Sequence, residues 1–165
     1  MKNRGFTLAE LITAMVISSL VILATAVLFV AEYRFRTDIN NEVYVAREAK
    51  TAMSHMARTL RFAKPTTVSI TSGKLDFTIE AGNPPHLPNL VTSYTSIEYN
   101  YNSSGNAANV VYFKLGSAAA YPVAYDITHF NPVWNSTAKN FTIDISAKKG
   151  NAEVDLHTVI TTIAG

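Results

Sequence analysis

The sequence LITAMVISSLVILATAVLFVA occupies residues 11–31 and contains no charged side chain. A helix of this length is about 30 Å long, which matches the hydrocarbon core of a bilayer. Extending the segment back to Phe6 adds one charge, Glu10. A removable secretory signal has a shorter apolar region followed by a cleavage site, whereas this run continues directly into a further helical pattern. The stretch therefore predicts a transmembrane helix.

The helical pattern extends beyond the membrane segment. Apolar or small residues recur every three or four positions, which is the period of one helical face; they are Phe35, Ile39, Val43, Ala46, Ala49, Met53, Met56 and Leu60. We expect this part of the helix to lie in water and to pack its apolar stripe on the chain's own C-terminal domain. Lys64 precedes Pro65, and a residue before proline is disfavoured in a helix, so the helix is expected to end there.

After Pro65 the apolar period changes to two, which indicates strands. Residues 67–71 and 75–80 flank Ser72-Gly73-Lys74 and predict a β-hairpin, and residues 82–90 predict a loop rich in proline. The further candidate strands are Ser96–Tyr101, Val110–Leu115, Tyr125–Phe130, Phe141–Ser146 and Val154–Ile163. Antiparallel strands with one apolar face need a cover. The predicted fold is therefore α+β, with a long N-terminal helix packed on a small antiparallel β-sheet domain.

These patterns divide the chain into four predicted segments. They are a basic leader (1–5), a transmembrane helix (6–31), an amphipathic helix (32–64) and a β-rich domain (65–165). Basic residues flank the span on both sides, Lys2 and Arg4 before it and Arg34 and Arg36 after it, so charge alone gives little orientation. Five residues cannot form a domain, so we expect a cytoplasmic N-terminus and a periplasmic domain.

The charge composition argues against a dedicated nucleic-acid-binding protein. The chain has 14 Lys+Arg and 12 Asp+Glu, and removing Lys2 and Arg4 leaves 12 of each. A nucleic-acid-binding domain usually has a concentrated basic face, and none is evident in this sequence. The lack of cysteine excludes disulfides and thiolate metal sites.

The first ten residues carry the most specific motif. The stretch Lys2-Asn3-Arg4-Gly5-Phe6-Thr7-Leu8-Ala9-Glu10 resembles the processing site of type IV pilins and type II secretion pseudopilins. The resemblance implies that a prepilin peptidase recognises Lys2, Arg4, Gly5, Phe6, Thr7 and Leu8, cuts between Gly5 and Phe6, and that Phe6 is then N-methylated. It also implies that Glu10 is needed for assembly.

The same resemblance implies the partners and the location. The expected partners are other pilins or pseudopilins, the prepilin peptidase and the inner-membrane assembly platform, with membrane lipid around the helix before assembly. The expected location is the inner membrane as a single-pass protein, and then a periplasmic or extracellular filament.

Elementary electrostatics supports a special role for Glu10. A carboxylate at the start of a membrane span is costly and normally has a partner. Cleavage after Gly5 creates a positive α-amino group on Phe6, which lies one helical turn away or on a neighbouring helix. Pairing the two charges offsets their desolvation and fixes the axial register of one subunit on the next. The alternative is a carboxylate that reaches the membrane surface and has no partner.

Two departures from the family pattern favour a minor subunit. Many pilins have a kinking proline midway through the apolar run, where this chain has Val27, and many major pilins close a C-terminal loop with two cysteines. The soluble helix and the strand-rich tail resemble the minor pilin W and pseudopilin J types. Two alternatives remain open: a membrane-tethered binding module that never polymerises, and a DNA-binding minor pilin of an uptake pilus that uses Arg58, Arg61 and Lys64.

These three cations could also pair with acidic groups on a neighbouring subunit. An exposed helix end explains them as well, because cations stabilise a helix C-terminus, and we favour that interpretation over either contact. No enzyme or cofactor is predicted, since the sequence has no nucleophile triad and no glycine-rich phosphate loop. None of the four histidines has a metal-binding spacing; they are His55, His86, His129 and His157. A calcium site in a loop is kept as an alternative. The acidic residues of the predicted strands fit solvated faces; they are Asp76, Glu80, Asp126, Asp144 and Asp155.

Overall fold

The computed structural model describes residues 7–71, 73–79, 95–102 and 109–163 of the chain. The elements are α1 (Leu8–Leu60), a 3₁₀ turn (Pro65–Thr67), β1 (Ser69–Thr71), β2 (Lys74–Ile79), β3 (Thr95–Asn102), β4 (Val110–Leu115), β5 (Tyr121–Ala124), β6 (Ile127–Asn135), β7 (Asn140–Lys149) and β8 (Ala152–Thr161). The chain forms two compact units, residues 1–40 and 41–165. The predicted α+β fold is confirmed.

The first unit is a helical arm whose surface is apolar as far as Ala31 and then includes Glu32, Arg34, Arg36 and Asp38. Every described residue from Thr7 to Asn40 is exposed within the chain. The helix is long and apolar enough to cross a membrane, and none of its most apolar 18-residue window is buried. Water is a poor solvent for a contiguous apolar surface of this size, so the arm fits a membrane anchor.

The second unit contains two antiparallel sheets and the C-terminal part of α1. One sheet has five strands in the order β1-β2-β3-β4-β5, and the other has three in the order β6-β7-β8. The buried helix face consists of Val45, Ala49, Ala52, Met56, Thr59 and Leu60. The two alanines in its middle leave room for close contact with the sheets.

The predicted apolar stripe of the helix is therefore only partly right. Ala49, Met56 and Leu60 are buried as expected, whereas Phe35, Ile39 and Val43 are exposed and Ala46 and Met53 are only partly buried. A period of 3.6 fits neighbouring stripes almost equally well when small residues count as apolar. Packing against the sheets selects the face that contains Val45 and Ala52.

The helix ends at Leu60, four residues before the predicted end at Lys64. Phe62 and Ala63 donate their backbone N–H groups to the carbonyls three residues earlier. Ala63 then bridges to Ile79, and the backbone N–H of Lys64 donates to the carbonyl oxygen of Thr78 at 2.9 Å. Pairing with β2 thus draws the chain out of the helix before Pro65, which instead begins the 3₁₀ turn.

The predicted hairpin is confirmed, because β1 and β2 pair antiparallel around Gly73. Gly73 has a φ of 80°, a left-handed conformation that glycine adopts without strain. Ser72 and Glu80, the loop at 82–90 and the predicted turn at 103–106 lie outside the described residues.

The candidate strand Tyr125–Phe130 is only partly right, because Ile127–Phe130 belong to β6 whereas Tyr125 and Asp126 form a corner between the two sheets. Strand β5 ends at Ala124, Asp126 has a φ of 57°, and β6 begins at Ile127 and continues to Asn135. The sequence pattern suggested neither β5, which contains Pro122, nor the extension of β6 through Pro132. Both prolines lie on edge strands, where a missing N–H is tolerated.

This corner is attached to the soluble part of α1. The backbone N–H of Tyr125 donates to Glu48 Oε2 at 2.9 Å. Lys149 Nζ lies 3.7 Å from Asp126 Oδ2 and 3.7 Å from the centroid of the Tyr44 ring. These contacts hold the helix, the corner and the end of β7 together.

Aromatic rings connect the two sheets. Phe77 of the five-stranded sheet lies 6.4 Å from Phe141 of the three-stranded sheet, measured between ring centroids. Phe113 packs edge-on against Tyr99 at 5.2 Å, and Trp134 lies 4.5 Å from Phe141. A single core therefore extends under both sheets.

Tyr99 makes the stability of this core sensitive to alkaline pH. Its side chain is fully buried, its hydroxyl lies 2.8 Å from His55 Nδ1, and burial raises its pKa far above the ordinary value. Above about pH 10 the unfolded chain ionises this tyrosine while the folded chain keeps it neutral. The free energy of unfolding should therefore fall as the pH rises above that value.

Urea unfolding of the full chain in detergent, followed by Trp134 fluorescence, measures this dependence. In Tyr99→Phe the decline between about pH 9 and 11 should be shallower, since no proton is then lost at this position. Equal slopes in the two proteins would contradict the assignment to Tyr99.

Candidate functional site

The helical arm begins with a reciprocal hydrogen-bond arrangement between Thr7 and Glu10. The backbone N–H and the hydroxyl of Thr7 each donate to Glu10 Oε2 at 2.9 Å. In return, the backbone N–H of Glu10 donates to Thr7 Oγ1 at 3.3 Å. This is a capping box, which satisfies backbone N–H groups that a helix start leaves without partners. The carboxylate also lies at the positive end of the helix dipole.

Glu10 thus differs from the alternative in which its carboxylate has no partner. Both bonds from Thr7 use Oε2, and Oε1 accepts no hydrogen bond within the described part of the chain. One carboxylate oxygen therefore remains open to a further donor, such as an amine. Capping of the helix and pairing with a second group are geometrically compatible.

The capping box was not part of the sequence interpretation, although the sequence contains its signal. The pattern is a threonine followed three residues later by glutamate, directly before an apolar run. The sequence interpretation assigned Glu10 a pairing with the amine of Phe6, in the same chain or on a neighbouring helix, and no role in capping. The structure adds a role within the chain's own helix.

Glu10 is the only charged residue between Thr7 and Ala31. The hydroxyls deeper in the arm bond to their own helix: Ser19 donates to the carbonyl of Val16, and Thr25 to that of Val21, each at 2.8 Å. Such local bonds remove the need for an outside partner. Glu10 is therefore the one position of the apolar arm where a charged partner is needed.

The other residues of the predicted processing site are only partly described. Thr7 and Leu8 are exposed at the start of the helix. Lys2, Arg4, Gly5 and Phe6 lie outside the described residues. Cleavage between Gly5 and Phe6 and methylation of Phe6 stay predictions.

In the globular unit, the structure does not bring the remaining candidates together into a site. His157 pairs with Asp144 across two strands at 2.6 Å on an exposed face, His55 contacts Tyr99, and His86 lies outside the described residues. Within the described ranges, no three His, Asp or Glu side chains are grouped so that they could hold a metal ion.

The proposed grouping of three cations on the helix is wrong, because α1 ends at Leu60. Arg58 lies in the last helical turn and Arg61 follows directly after it. Lys64 belongs to the connection into the sheet, where its backbone N–H is bonded to Thr78.

Comparison with known proteins identifies a sequence motif at the N-terminus. Residues 1–26 match the prokaryotic N-terminal methylation motif, a region that includes the capping box and most of the apolar run. No curated protein matches the chain significantly. The motif match supports a type IV pilin-like N-terminus, and the exposed apolar segment that follows Glu10 fits it.

Proposed function

We propose that the chain is a minor pilin or pseudopilin, a structural subunit that a prepilin peptidase processes and that assembles through its N-terminal helix into a type IV pilus or a type II secretion pseudopilus. The observation that carries this proposal is the carboxylate of Glu10, which among the described residues is bonded through Oε2 alone and lies at the start of an exposed apolar segment. Its position inside the matched methylation motif supports the same function.

Processing supplies the missing partner in this proposal. In the precursor, Lys2 and Arg4 hold the short N-terminus on the cytoplasmic side. Cleavage after Gly5 removes both charges and leaves a positive α-amino group on Phe6. That amine pairs with the open oxygen of Glu10, in the same subunit or in the next one, and the low dielectric of a helix bundle strengthens the attraction. Pairing between subunits fixes their axial register.

A minor position in the filament is favoured over a shaft position. The arm has no proline and the chain has no cysteine pair, in contrast to many major pilins. In the proposed division, residues 1–5 are the leader, 6–31 the assembly helix, 32–64 the soluble helix region and 65–165 the β-rich domain.

The test is the N-terminus of the protein extracted from membranes with and without a prepilin peptidase. With the enzyme, intact mass and N-terminal sequencing should show a chain that begins at Phe6 and carries one added methyl group. Gly5→Ile should leave the precursor intact, because a branched side chain then sits at the scissile bond. Asn3→Ile, a leader change outside the predicted recognition residues, is the control and should still be processed. A functional protein that retains residues 1–5 would favour the tethered, non-polymerising module.

A further inference from the structure

The soluble part of α1 has a row of cations opposite its buried face. Arg47, Lys50 and Arg58 on the helix and Arg61 directly after it are all exposed, and we call these four residues the cationic ridge. At 1.5 Å per residue the ridge is about 21 Å long. Arg47, Lys50 and Arg58 line one shallow depression with the exposed hydroxyl residues Thr51 and Ser54, which places them on one side of the helix.

The cationic ridge contains no compensating acid. None of its four members forms an ion pair within the part of the chain that the structure describes, where the pairs are those of Glu32, Asp76, Glu98, Asp126, Asp144 and Glu153. The only acid between Arg47 and Arg61 is Glu48, and its carboxylate is bonded to the corner at Tyr125. Arg47 and Lys50 lie three residues apart on the helix, where like charges repel each other.

Most carboxylates of the sheets, unlike the cations of the ridge, form ion pairs within the chain. Lys74 lies 3.4 Å from Asp76 and 3.2 Å from Glu98, and Lys148 lies 2.9 Å from Glu153. These carboxylates thus have a cation within the chain, with Lys74 shared between two of them. A second copy of this chain therefore offers the ridge few sheet carboxylates without a cation, and two ridges would repel each other.

We propose that the cationic ridge binds an acidic face of a different pilin or pseudopilin in the same filament. This inference rests on the proposed function, since it needs a filament with more than one kind of subunit. The apolar arm supplies most of the affinity there, while complementary charges select the neighbour and its orientation. The ridge thus gives this subunit a defined place beside an acidic neighbour.

The spacing of the ridge fits a protein partner better than a nucleic acid. Its cations form two pairs, and about 12 Å separates Lys50 from Arg58 along the helix axis. A nucleic-acid strand has a phosphate about every 3.4 Å of helix axis, so the middle of the ridge would leave several phosphates without a cation. Without its leader the chain also has equal numbers of acidic and basic residues. These features match a local, partner-specific contact.

A photo-crosslinking amino acid at Ser54, in the middle of the ridge, tests the proposal in the full-length protein. The experiment uses membranes that contain the other pilins of the filament. We expect a crosslink to a different pilin, at a segment with two or more acidic residues. The yield should fall about tenfold in Arg47→Glu/Lys50→Glu and in Arg58→Glu/Arg61→Glu, because each pair converts attraction into repulsion.

The control is Lys139→Glu, which also reverses a charge but lies away from the ridge and breaks no ion pair in the described residues. It should crosslink like the parent protein. Reversing the acids of the captured segment to lysine should restore the crosslink to Arg47→Glu/Lys50→Glu. Thermal unfolding of every variant checks that the domain is intact, and Arg47→Gln/Lys50→Gln should show an intermediate loss.

Three results would overturn the proposal: capture of nucleic acid, capture of another copy of this chain, or a yield that does not respond to charge reversal. The absence of any crosslink in correctly processed protein would also count against it. The intact mass of the protein distinguishes a failure of the ridge proposal from a failure of the proposed function. A chain that keeps residues 1–5 contradicts the proposed function. A processed chain whose crosslink yield does not respond to charge reversal contradicts only the proposal for the cationic ridge.

Discussion

Replacing Glu10 with alanine is expected to reduce incorporation of the subunit into filaments by at least about tenfold, since the α-amino group of Phe6 would then remain unpaired in an apolar helix bundle. Replacing Thr7 with alanine removes the hydroxyl of the capping box but keeps the carboxylate. It should cost about 1 kcal/mol at the helix start and affect incorporation much less. The measurement is the share of tagged protein in the sheared filament fraction at equal expression.

Glu10→Gln separates helix capping from charge pairing more sharply. A glutamine at this position retains a carbonyl oxygen that can accept the bonds from Thr7, and it therefore preserves the capping box. It has no charge to pair with the amine, so incorporation should fall as in Glu10→Ala. Incorporation of Glu10→Gln at the parent level would show that capping, rather than charge pairing, is the contribution of Glu10.

The second large effect is expected in the core of the globular unit. Phe77 is 1% exposed and its ring lies between Tyr99 and Phe141, at the junction of the two sheets. Phe77→Ala should cost about 3–5 kcal/mol, because it leaves a cavity between two packed layers. Domains of this size have about 5–15 kcal/mol of total stability. Much of the domain's resistance to denaturant should therefore be lost.

Trp134, the only tryptophan, reports this change because it lies 4.5 Å from Phe141. Urea unfolding of the full chain in detergent, followed by its fluorescence, should show a much lower midpoint for Phe77→Ala. Val159→Ala is the control, since Val159 is 54% exposed on the outer face of β8 and its truncation should cost less than about 0.5 kcal/mol. Similar midpoints for the two variants would mean that Phe77 does not join the sheets energetically.

The fold class could be predicted from the sequence because two features have strong local signals. The uncharged run at 11–31 defines the arm, and alternating residues such as those of β2 define strands. The features that sequence reasoning missed depend on contacts between distant segments. Val45 and Ala52, for example, are buried because the sheets happen to pack on that side of the helix.

The same distinction holds for the candidate site. The motif at Gly5–Glu10 was visible in the sequence, and the capping box could have been found there from Thr7 and Glu10 alone. The cationic ridge could not, because it depends on where α1 ends and on which of the carboxylates pair within the chain. Lys64, for instance, follows the helical period but belongs to the connection into the sheet.

In the proposed filament, the uncharged surface of residues 11–31 has a consequence for the energetics of polymerisation. Lipid chains and packed helices are similarly apolar, so transfer of the arm from bilayer to filament gains little from the hydrophobic effect. The hydrophobic contribution, which is the largest one, is therefore nearly the same for the arm in the bilayer and in the filament. Polar interactions at the arm's first turn and on the globular surface therefore decide whether the subunit favours the filament or the bilayer. A modest input of free energy is enough to reverse that preference.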